Sequence, residues 1–401
     1  MTQLPVSDKA RFDLTVVVLA LLTMFGPLSI DMYLPAFGDI AETYSTVSNR
    51  VELSLTSFFL GLFIGQLLYG TASDKWGRKP PLYFGLVIYI VTSIACAYAP
   101  NLESLIVLRF FQAVGSCAGL VIARAMVRDL YSPQASAQVF SFLILIMGIA
   151  PILAPLAGAY VTQAFGWQAI FIIVAALAAA CMAIVHVRLP ETRGFDNAVR
   201  MRRSLPIYWD VLKDRGFLRY SLAGGIAQSG MFAYITGSPL VFIEHFGLDP
   251  THYSWLFGMN AVGIIGMAQL NAWLLRRRDA RKILNKSLPV LALISLTTVV
   301  FAAINANFWM VLAIVFAYVS TLGMVFPNAM AGALAEQQQR AGSASAVTGS
   351  LQFLIAGIVS ALVNIVGHSH PLGMLFVIGA CGLTATLLYK LLRTAESVTE
   401  A

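Results

Sequence analysis

The chain has 401 residues, of which 58% are hydrophobic and 11% are charged. A soluble globular domain carries about 25% charged residues, so this composition indicates a membrane protein and excludes an ordinary soluble enzyme domain. The formal net charge of +7 comes from basic residues in loops, where they orient a membrane protein. We therefore expect no nucleic-acid partner.

A transmembrane helix needs about 20 predominantly apolar residues. By that rule the sequence predicts an all-α integral membrane protein with twelve transmembrane helices. The predicted spans are 14–36, 52–71, 81–99, 104–123, 138–162, 168–188, 218–241, 253–275, 286–304, 309–329, 344–366 and 372–392.

Basic residues set the predicted orientation. Of the 26 Lys and Arg residues, all except Arg50 and Arg109 fall in loops on one side of the membrane or at its edge. Cytoplasmic loops retain positive charge, so both termini are predicted to be cytoplasmic.

A long polar segment divides the chain. We predict an N-terminal six-helix bundle over 1–189, a cytoplasmic central loop over 190–216 and a C-terminal six-helix bundle over 217–401. A weak internal repeat supports this division, because an offset of 204 residues carries Pro35, at the end of span 1, onto Pro239, at the end of span 7. Two repeats related by pseudo-two-fold symmetry are an architecture of secondary transporters.

The first span contains an acid, Asp31, after a run of residues without charge. A charge in the bilayer centre costs roughly 2.5–3.5 kcal/mol on insertion scales, so such residues usually face a protein interior or a water-filled path. We expect Asp31 to lie well short of the end of its helix and to belong to a polar cavity.

The fourth span contains a base. Arg109, Gln112 and Ser116 fall on one helical face, and an Arg inside a span requires acceptors. Asp31, backbone carbonyls and water are the alternatives. Pairing with Asp31 would make Arg109 and Asp31 the proton-coupling residues, whereas permanent carbonyl bonds would make Arg109 a structural strut.

A charged segment between spans 2 and 3 is predicted to be a short loop that gates conformational change. It contains Gly70, Asp74, Gly77, Arg78 and Lys79. Asp74 could pair with neighbouring bases or cap a helix N-terminus, and such contacts can form in one conformation and break in another. Alternatively, the two bases only enforce topology.

The fifth span is predicted to bend or unwind. Pro151 and Pro155 remove two backbone donors from one helix, and Gly158 follows them. We interpret the three residues as a gating hinge or seal, with a simple packing kink as the alternative.

Aromatic and amide side chains recur at helical spacing in several spans. Each residue alone could be helix-packing, but together they could line a cavity suited to an amphipathic organic molecule. The predicted substrate-binding residues are Asp31, Tyr33, Phe59, Phe63, Gln66, Arg109, Gln112, Ser116, Gln228, Phe232, Asn260, Tyr318 and Gln352.

Several function classes lack their sequence signals. There is no phosphate-binding loop for ATP hydrolysis, no metal-ligand spacing and no nucleophile–base constellation. The four cysteines lie in predicted spans and are expected to be small packing residues. We expect no enzyme activity and no cofactor, with the proton as coupling ion, and a monomer whose partners are a small amphipathic substrate, protons and membrane lipids.

The charged motifs resemble those of a known family. The segment from Asp74 to Lys79 resembles the loop 2–3 motif of the major facilitator superfamily, and Arg109 with Gln112 is similar to the span-4 motif of its drug:proton antiporters. The stretch around Pro155 and Gly158 resembles the antiporter motif, although that motif has Gly where this chain has Ala154 and Ala157.

Two further segments, Ser29–Pro35 and Gly342–Ala346, resemble the Bcr/CflA family of bacterial multidrug efflux proteins. The resemblance implies a transporter of the bacterial inner membrane that exports drugs such as bicyclomycin, phenicols or sulfonamides by alternating access, coupled to proton entry. A proton-linked importer or exporter of an endogenous metabolite with the same fold is the alternative. A membrane receptor or scaffold with a vestigial cavity is a third hypothesis.

Overall fold

The computed structural model describes residues 14–192, 194, 201–337, 341–369 and 372–392. These residues form helices and no β-strand. The α-helices are α1 (Leu14–Asp31), α2 (Phe37–Thr43), α3 (Ser48–Val51), α4 (Leu53–Trp76), α5 (Lys79–Ala97), α6 (Leu102–Leu130), α7 (Pro133–Phe165), α8 (Gln168–Arg188), α9 (Met201–Lys213), α10 (Arg215–Ser238), α11 (Pro250–Leu275), α12 (Ala280–Ala303), α13 (Phe308–Glu336), α14 (Ala341–Ser369) and α15 (Gly373–Leu391).

Eleven helical stretches of the described residues are long and apolar enough to cross a membrane. The one predicted span that is not among these eleven, 253–275, corresponds to α11, which has 26 residues and is therefore long enough to cross. Its amide side chains, Asn260, Gln269 and Asn271, lower its hydropathy. The predicted fold class, an all-α protein with twelve spanning helices, is confirmed.

The chain forms two compact units. Unit 1 comprises the described residues of Met1–Val47 and Ser57–Ser204, and unit 2 those of Ser48–Thr56 and Leu205–Ala401. In unit 1, α1 packs against α6, α7 and α8, and α5 packs against α6 and α8. In unit 2, α10 packs against α13, α14 and α15, while α11 and α12 pack against α13.

The observed units differ from the predicted boundaries in two places. The short segment Ser48–Thr56, which the sequence assigns to the first bundle, groups with unit 2. The predicted central loop over 190–216 contains a helix, α9, and its residues 193 and 195–200 lie outside the described part of the chain.

The first span is interrupted. Helix α1 ends at Asp31, a 3₁₀ turn covers Leu34–Ala36, and α2 continues the span. Pro35 has no N–H to give to the carbonyl four residues earlier, which belongs to Asp31. The expectation that Asp31 lies well short of the end of its helix is therefore wrong, because the acid is the last α-helical residue before the interruption.

The seventh span breaks at the matching proline. Helix α10 ends at Ser238, and a π-helical segment runs over Pro239–His245. The Phe246 N–H bonds to the Val241 carbonyl five residues earlier, at 3.0 Å. A proline again removes an α-helical donor, and here the backbone adopts a wider turn.

The predicted gating loop is mostly helical. Helix α4 continues to Trp76, so Gly70 and Asp74 lie on its last turns, and the connection to α5 consists of Gly77 and Arg78. Gly77 ends the helix with φ +86°, a left-handed conformation that glycine adopts without steric cost. The predicted loop was too long because no residue between Gly70 and Trp76 breaks a helix.

Helix α7 is not unwound at its prolines. It runs without interruption through Pro151 and Pro155. Gly158 on this helix lies against the interruption of the first span: a Cβ at this position would be 2.1 Å from the Met32 carbonyl oxygen. Only glycine permits so close an approach to the backbone that follows Asp31.

Gly158→Ala should destabilise the protein, because the added methyl meets main-chain atoms that cannot turn aside. Overpacking of this kind costs about 1–3 kcal/mol. Gly266→Ala is the matched control, since a Cβ at Gly266, also on a spanning helix, meets nothing within 4 Å. Thermal unfolding of the purified protein should show a lower melting temperature for the first variant alone. Equal melting temperatures for the two variants would contradict the assigned contact.

Candidate functional site

Unit 1 holds a fully buried cation, Arg109, whose side chain is 0% exposed. One terminal nitrogen, Nη1, donates to Gln112 Oε1 at 2.6 Å, and Nη2 donates to the Ser29 carbonyl at 3.0 Å. The third nitrogen, Nε, has no hydrogen-bond partner among the described residues. Arg109 therefore joins α6 to the last turns of α1.

Aromatic rings enclose the guanidinium. Its central carbon lies 4.5 Å from the ring centre of Tyr33, 4.3 Å from that of Phe58 and 5.7 Å from that of Phe171. A cation–π contact stabilises a desolvated cation by about 2 kcal/mol. The rings and the two acceptors together replace the hydration that the charge loses in the membrane.

A second layer of hydrogen bonds positions these acceptors. Gln112 donates through Nε2 to Ser93 Oγ at 2.7 Å. The hydroxyls of Ser29 and Tyr89 are 2.6 Å apart, and both side chains are buried. This network connects α1, α5 and α6 through polar atoms and fixes the orientation of the Gln112 amide.

Asp31 lies close to this cluster in sequence but does not pair with it. Its side chain is 4% exposed. Among the described residues it makes no ion pair or hydrogen bond, and the acceptors of Arg109 are those of Gln112 and Ser29. The structure thus shows the carbonyl-bonded alternative for Arg109, and the predicted pairing of Arg109 with Asp31 is absent from it.

Four other predicted residues of unit 1 lie on α4 and α6: Phe59, Phe63 and Gln66 on α4, and Ser116 on α6. Ser116 donates to the Ala113 carbonyl on its own helix at 2.9 Å. Phe59 is buried and Gln66 is 8% exposed, whereas Phe63 is partly exposed. The ring that packs on Arg109 belongs to Phe58, the neighbour of the predicted residue.

Five residues of this cluster are not among the residues predicted from the sequence: Ser29, Phe58, Tyr89, Ser93 and Phe171. The three hydroxyl residues carry the same signal that identified Gln112, a polar group in an apolar span, and could have been included on that ground. The two phenylalanines carry no comparable signal, because a ring that packs on a cation has the same composition as a core residue.

In unit 2 two predicted cavity residues are used for helix packing. Tyr318 is 0% exposed and donates to the Ala227 carbonyl at 3.0 Å. Asn260 is 2% exposed and donates to Tyr234 Oη at 2.9 Å. Both side chains are enclosed between helices of the unit, so their predicted place on a cavity wall is not what the structure shows.

The remaining predicted residues of unit 2 keep some access. Gln228 is partly exposed, with its amide nitrogen 3.2 Å from Met231 Sδ. Gln352 is also partly exposed, and Phe232 is 8% exposed with its ring 5.9 Å from that of Phe353. Substrate contact by these residues stays a prediction.

An ionic cluster lies at the predicted cytoplasmic end of unit 1. The Arg78 side chain, 6% exposed, donates through Nε to Asp129 Oδ2 at 2.7 Å and through Nη1 to Asp74 Oδ1 at 2.9 Å. A further bond joins Nη1 to Ser73 Oγ at 3.1 Å. Arg78 therefore connects α4 to the end of α6, and the predicted pairing of Asp74 with a nearby base is observed.

The electrostatic balance keeps this guanidinium charged. Burial lowers the pKa of Arg78, but the hydrogen bonds and charges of Asp129, and then of Asp74, outweigh burial and raise the pKa above its ordinary value. The Arg78 guanidinium is therefore charged at every physiological pH.

The helix cap predicted for Asp74 is made by another acid. Glu191 accepts the backbone N–H groups of Arg78 and Lys79, both at 2.8 Å, at the start of α5. A carboxylate is favoured at a helix N-terminus, where the first N–H groups lack partners. Lys79 also donates through Nζ to the Leu189 carbonyl at 2.8 Å.

The described residues contain no group of three or more His, Cys, Asp or Glu side chains that could hold a metal ion. What unit 1 offers chemically is a buried carboxyl without donors, a fixed cation and a hydroxyl–amide network between helices. Such an arrangement can bind and release a proton and can report that event to neighbouring helices.

Arg109→Lys should destabilise unit 1, although it keeps the charge. An ammonium group cannot reach Gln112 and Ser29 with the planar geometry of guanidinium, and a lost hydrogen bond to a charged group costs about 1.5–3 kcal/mol. Arg128→Lys is the control, because Arg128 is exposed on the same helix. Thermal unfolding of both purified variants tests this prediction, and only Arg109→Lys should have a lower melting temperature. An unchanged melting temperature for Arg109→Lys would show that the planar guanidinium is not needed to hold α1 and α6 together.

Asp129→Asn should cost more stability than Asp74→Asn. Asp129 accepts two bonds from Arg78 and one from Thr192 Oγ1 at 2.9 Å. Asp74 has a 48% exposed side chain, and its bond to Arg78 is an i,i+4 pair. Exposed helix pairs contribute about 0.3–0.5 kcal/mol. Chemical denaturation of the two purified variants measures the loss in the free energy of unfolding. A larger loss for Asp74→Asn than for Asp129→Asn would contradict the assigned contacts.

Comparison with known proteins agrees with this architecture. The family described as Major Facilitator Superfamily matches residues 19–361. A protein of Bacillus subtilis, "Uncharacterized MFS-type transporter YdgK", is 36% identical over 87% of this chain and 88% of its own length. A "Bicyclomycin resistance protein homolog" of Haemophilus influenzae is 30% identical over 94% of this chain and 95% of its own length.

A solved structure shares the fold at low sequence identity. A D-xylose-proton symporter matches with a TM-score of 0.73 and 13% identity, covering 94% of this chain and 96% of that chain. At this identity the likeness concerns the fold alone.

The family match over residues 19–361 and the similarity to the Haemophilus influenzae protein show that the chain belongs to the Major Facilitator Superfamily, and they confirm the predicted resemblance to its drug-efflux members.

Proposed function

We propose that this protein is a proton-coupled transporter that exports amphipathic drugs of the bicyclomycin, phenicol or sulfonamide type from the bacterial cytoplasm. The observation that carries the proposal is Asp31, a buried acid without a hydrogen-bond donor at the interruption of the first span. The similarity to a protein named for bicyclomycin resistance supports the substrate class.

The proton step of the proposal uses the burial of Asp31. An ionised carboxylate without donors in an apolar interior is costly, whereas the neutral acid is tolerated. Asp31 therefore takes up a proton whenever this packed arrangement forms, and it ionises when the arrangement opens to water. Drug and proton exclude each other because each stabilises a different arrangement around this residue.

The backbone around Asp31 passes this event to other helices. Two residues earlier, the Ser29 carbonyl accepts from Arg109 of α6. One residue later, the Met32 carbonyl lies against Gly158 of α7. A change of charge on Asp31 thus acts on a point where α1 is held on both sides, and it favours one packing of unit 1 over another.

Asp31→Asn should abolish the exchange of drug for protons, because the amide cannot ionise. The measurement uses everted membrane vesicles in which respiration acidifies the interior, with a pH-sensitive dye inside. Chloramphenicol and bicyclomycin serve as probes. Wild-type vesicles should lose acidity when a probe is added, and the Asp31→Asn vesicles should show no response at matched expression.

Asp39→Asn is the matched control, because Asp39 is an exposed acid on α2 of the same span, and it should respond as wild type. Probe-driven proton movement by Asp31→Asn would remove Asp31 from the coupling step. If wild-type vesicles move no protons with any drug but exchange protons for a cellular metabolite, the substrate class proposed here is wrong and the metabolite alternative holds.

A further inference from the structure

A short segment at the start of the second span forms a polar seam inside unit 2. The segment Ser48–Thr56 belongs to this unit, and its helix α3 packs against α14. The Asn364 amide of α14 donates to the Asn49 carbonyl. Further along the segment, the hydroxyls of Thr56 and Ser360 lie 2.7 Å apart.

A third helix joins the seam. Thr236 of α10 donates to Ser360 Oγ at 3.0 Å. The contacts of the segment with α14 therefore include hydrogen bonds at successive turns of α14, and they define one docked position of the segment.

Glu52 lies in the middle of this seam. Its side chain is 0% exposed, and neither carboxylate oxygen has a hydrogen-bond partner among the described residues. The Asn364 amide faces it but donates to Asn49 instead. A fully enclosed carboxyl with no donor is rare, because the burial of an ionised group without a partner is strongly unfavourable.

The charged groups around Glu52 do not neutralise it. From the segment Pro239–His245 it faces Glu244, an exposed acid of the same sign. From α14 it faces the Asn364 amide, an uncharged donor whose hydrogen bond goes to the Asn49 carbonyl. Arg50, the base on its own short helix, is exposed and donates no hydrogen bond to Glu52.

We infer that Glu52 is a second proton-binding residue of this transporter, and that the segment Ser48–Thr56 docks on α14 only when Glu52 carries its proton. The docked site accommodates the neutral acid, whereas an ionised Glu52 needs water or a donor that the site does not supply. Loss of the proton therefore releases the segment from α14.

The position of Glu52 gives this event a direction. The segment lies at the predicted outer end of the second span, so Glu52 meets the outer solution when it is released. A proton from outside then restores docking. Asp31 lies in unit 1 and Glu52 in unit 2, so each unit contains its own proton-binding carboxyl. This inference goes beyond the proposed function, and it does not depend on the substrate.

Cross-linking measures the docked state without any transport. The variant Thr56→Cys/Ser360→Cys places two sulfurs where the hydroxyl oxygens are 2.7 Å apart, in a background with the four native cysteines replaced. The yield of the disulfide under a mild oxidant is followed in purified protein from about pH 5 to about pH 9, a range that brackets buried carboxyl groups.

The same double-cysteine protein with Glu52→Gln is the reference. Glutamine is neutral at every pH, so the segment should stay docked in the reference. Both proteins contain the same two thiols, so the change of thiol reactivity with pH affects their disulfide yields equally. The disulfide yield of the protein that keeps Glu52, divided by the yield of the Glu52→Gln reference, should fall as the pH rises. A ratio that does not change with pH overturns the inference.

Two further variants keep the test decisive. Glu244→Gln should preserve the fall in yield with pH; if it removes the fall, Glu244 and not Glu52 controls docking. Asp31→Asn should also preserve the fall, because docking is controlled by Glu52. The vesicle assay tests the role of Asp31 and the cross-linking assay tests the role of Glu52, so either proposal can fail without the other. If Glu52→Gln does not fold, Glu52→Met, which is also uncharged at every pH, takes its place as the reference, and a ratio that does not change with pH again overturns the inference.

Discussion

The burial of one guanidinium constrains the rest of unit 1. Arg109 is charged at all relevant pH values, and the membrane interior offers no water to solvate it. Gln112, the Ser29 carbonyl and the ring of Phe58 take over that role. Because Ser29 belongs to α1 and Arg109 to α6, the two helices cannot separate without exposing an unsatisfied charge. The stretch of α1 that contains Asp31 is thereby fixed in place.

Much of this arrangement follows from the sequence, since hydropathy predicts the spans and a charge in a span predicts a polar interior. The matching of Pro35 with Pro239 also has structural content, because each proline lies where the first α-helix of its span has ended and another backbone conformation begins. The repeat does not extend to the acid: the same offset of 204 residues carries Asp31 onto Ile235. Unit 2 instead has its buried acid at Glu52, which comes from a segment far away in sequence.

What the sequence does not predict are pairings between distant residues. Arg78 meets Asp129 51 positions away, and Glu191 caps α5 from 113 positions away; nothing local to either acid indicates these partners. Local patterns also cannot separate a residue that lines a cavity from one that joins two helices. Tyr318 illustrates this, because its hydroxyl is bonded to a neighbouring helix and not directed to solvent. Likewise Arg109 uses carbonyl and amide acceptors, although an acid lies only two residues from Ser29.

The fixed charge of Arg109 also makes unit 1 respond to membrane voltage. Asp31 is the one acid among the described buried residues of this unit, so it alone can cancel that charge there. With Asp31 ionised the two charges sum to zero, and with Asp31 protonated a single positive charge remains. A membrane potential acts on that charge with about 2.3 kcal/mol per 100 mV. Under the proposed coupling through Asp31, an interior-negative potential pulls the protonated form inward and exerts no net force on the ionised form, so the membrane voltage acts on one of the two protonation states only.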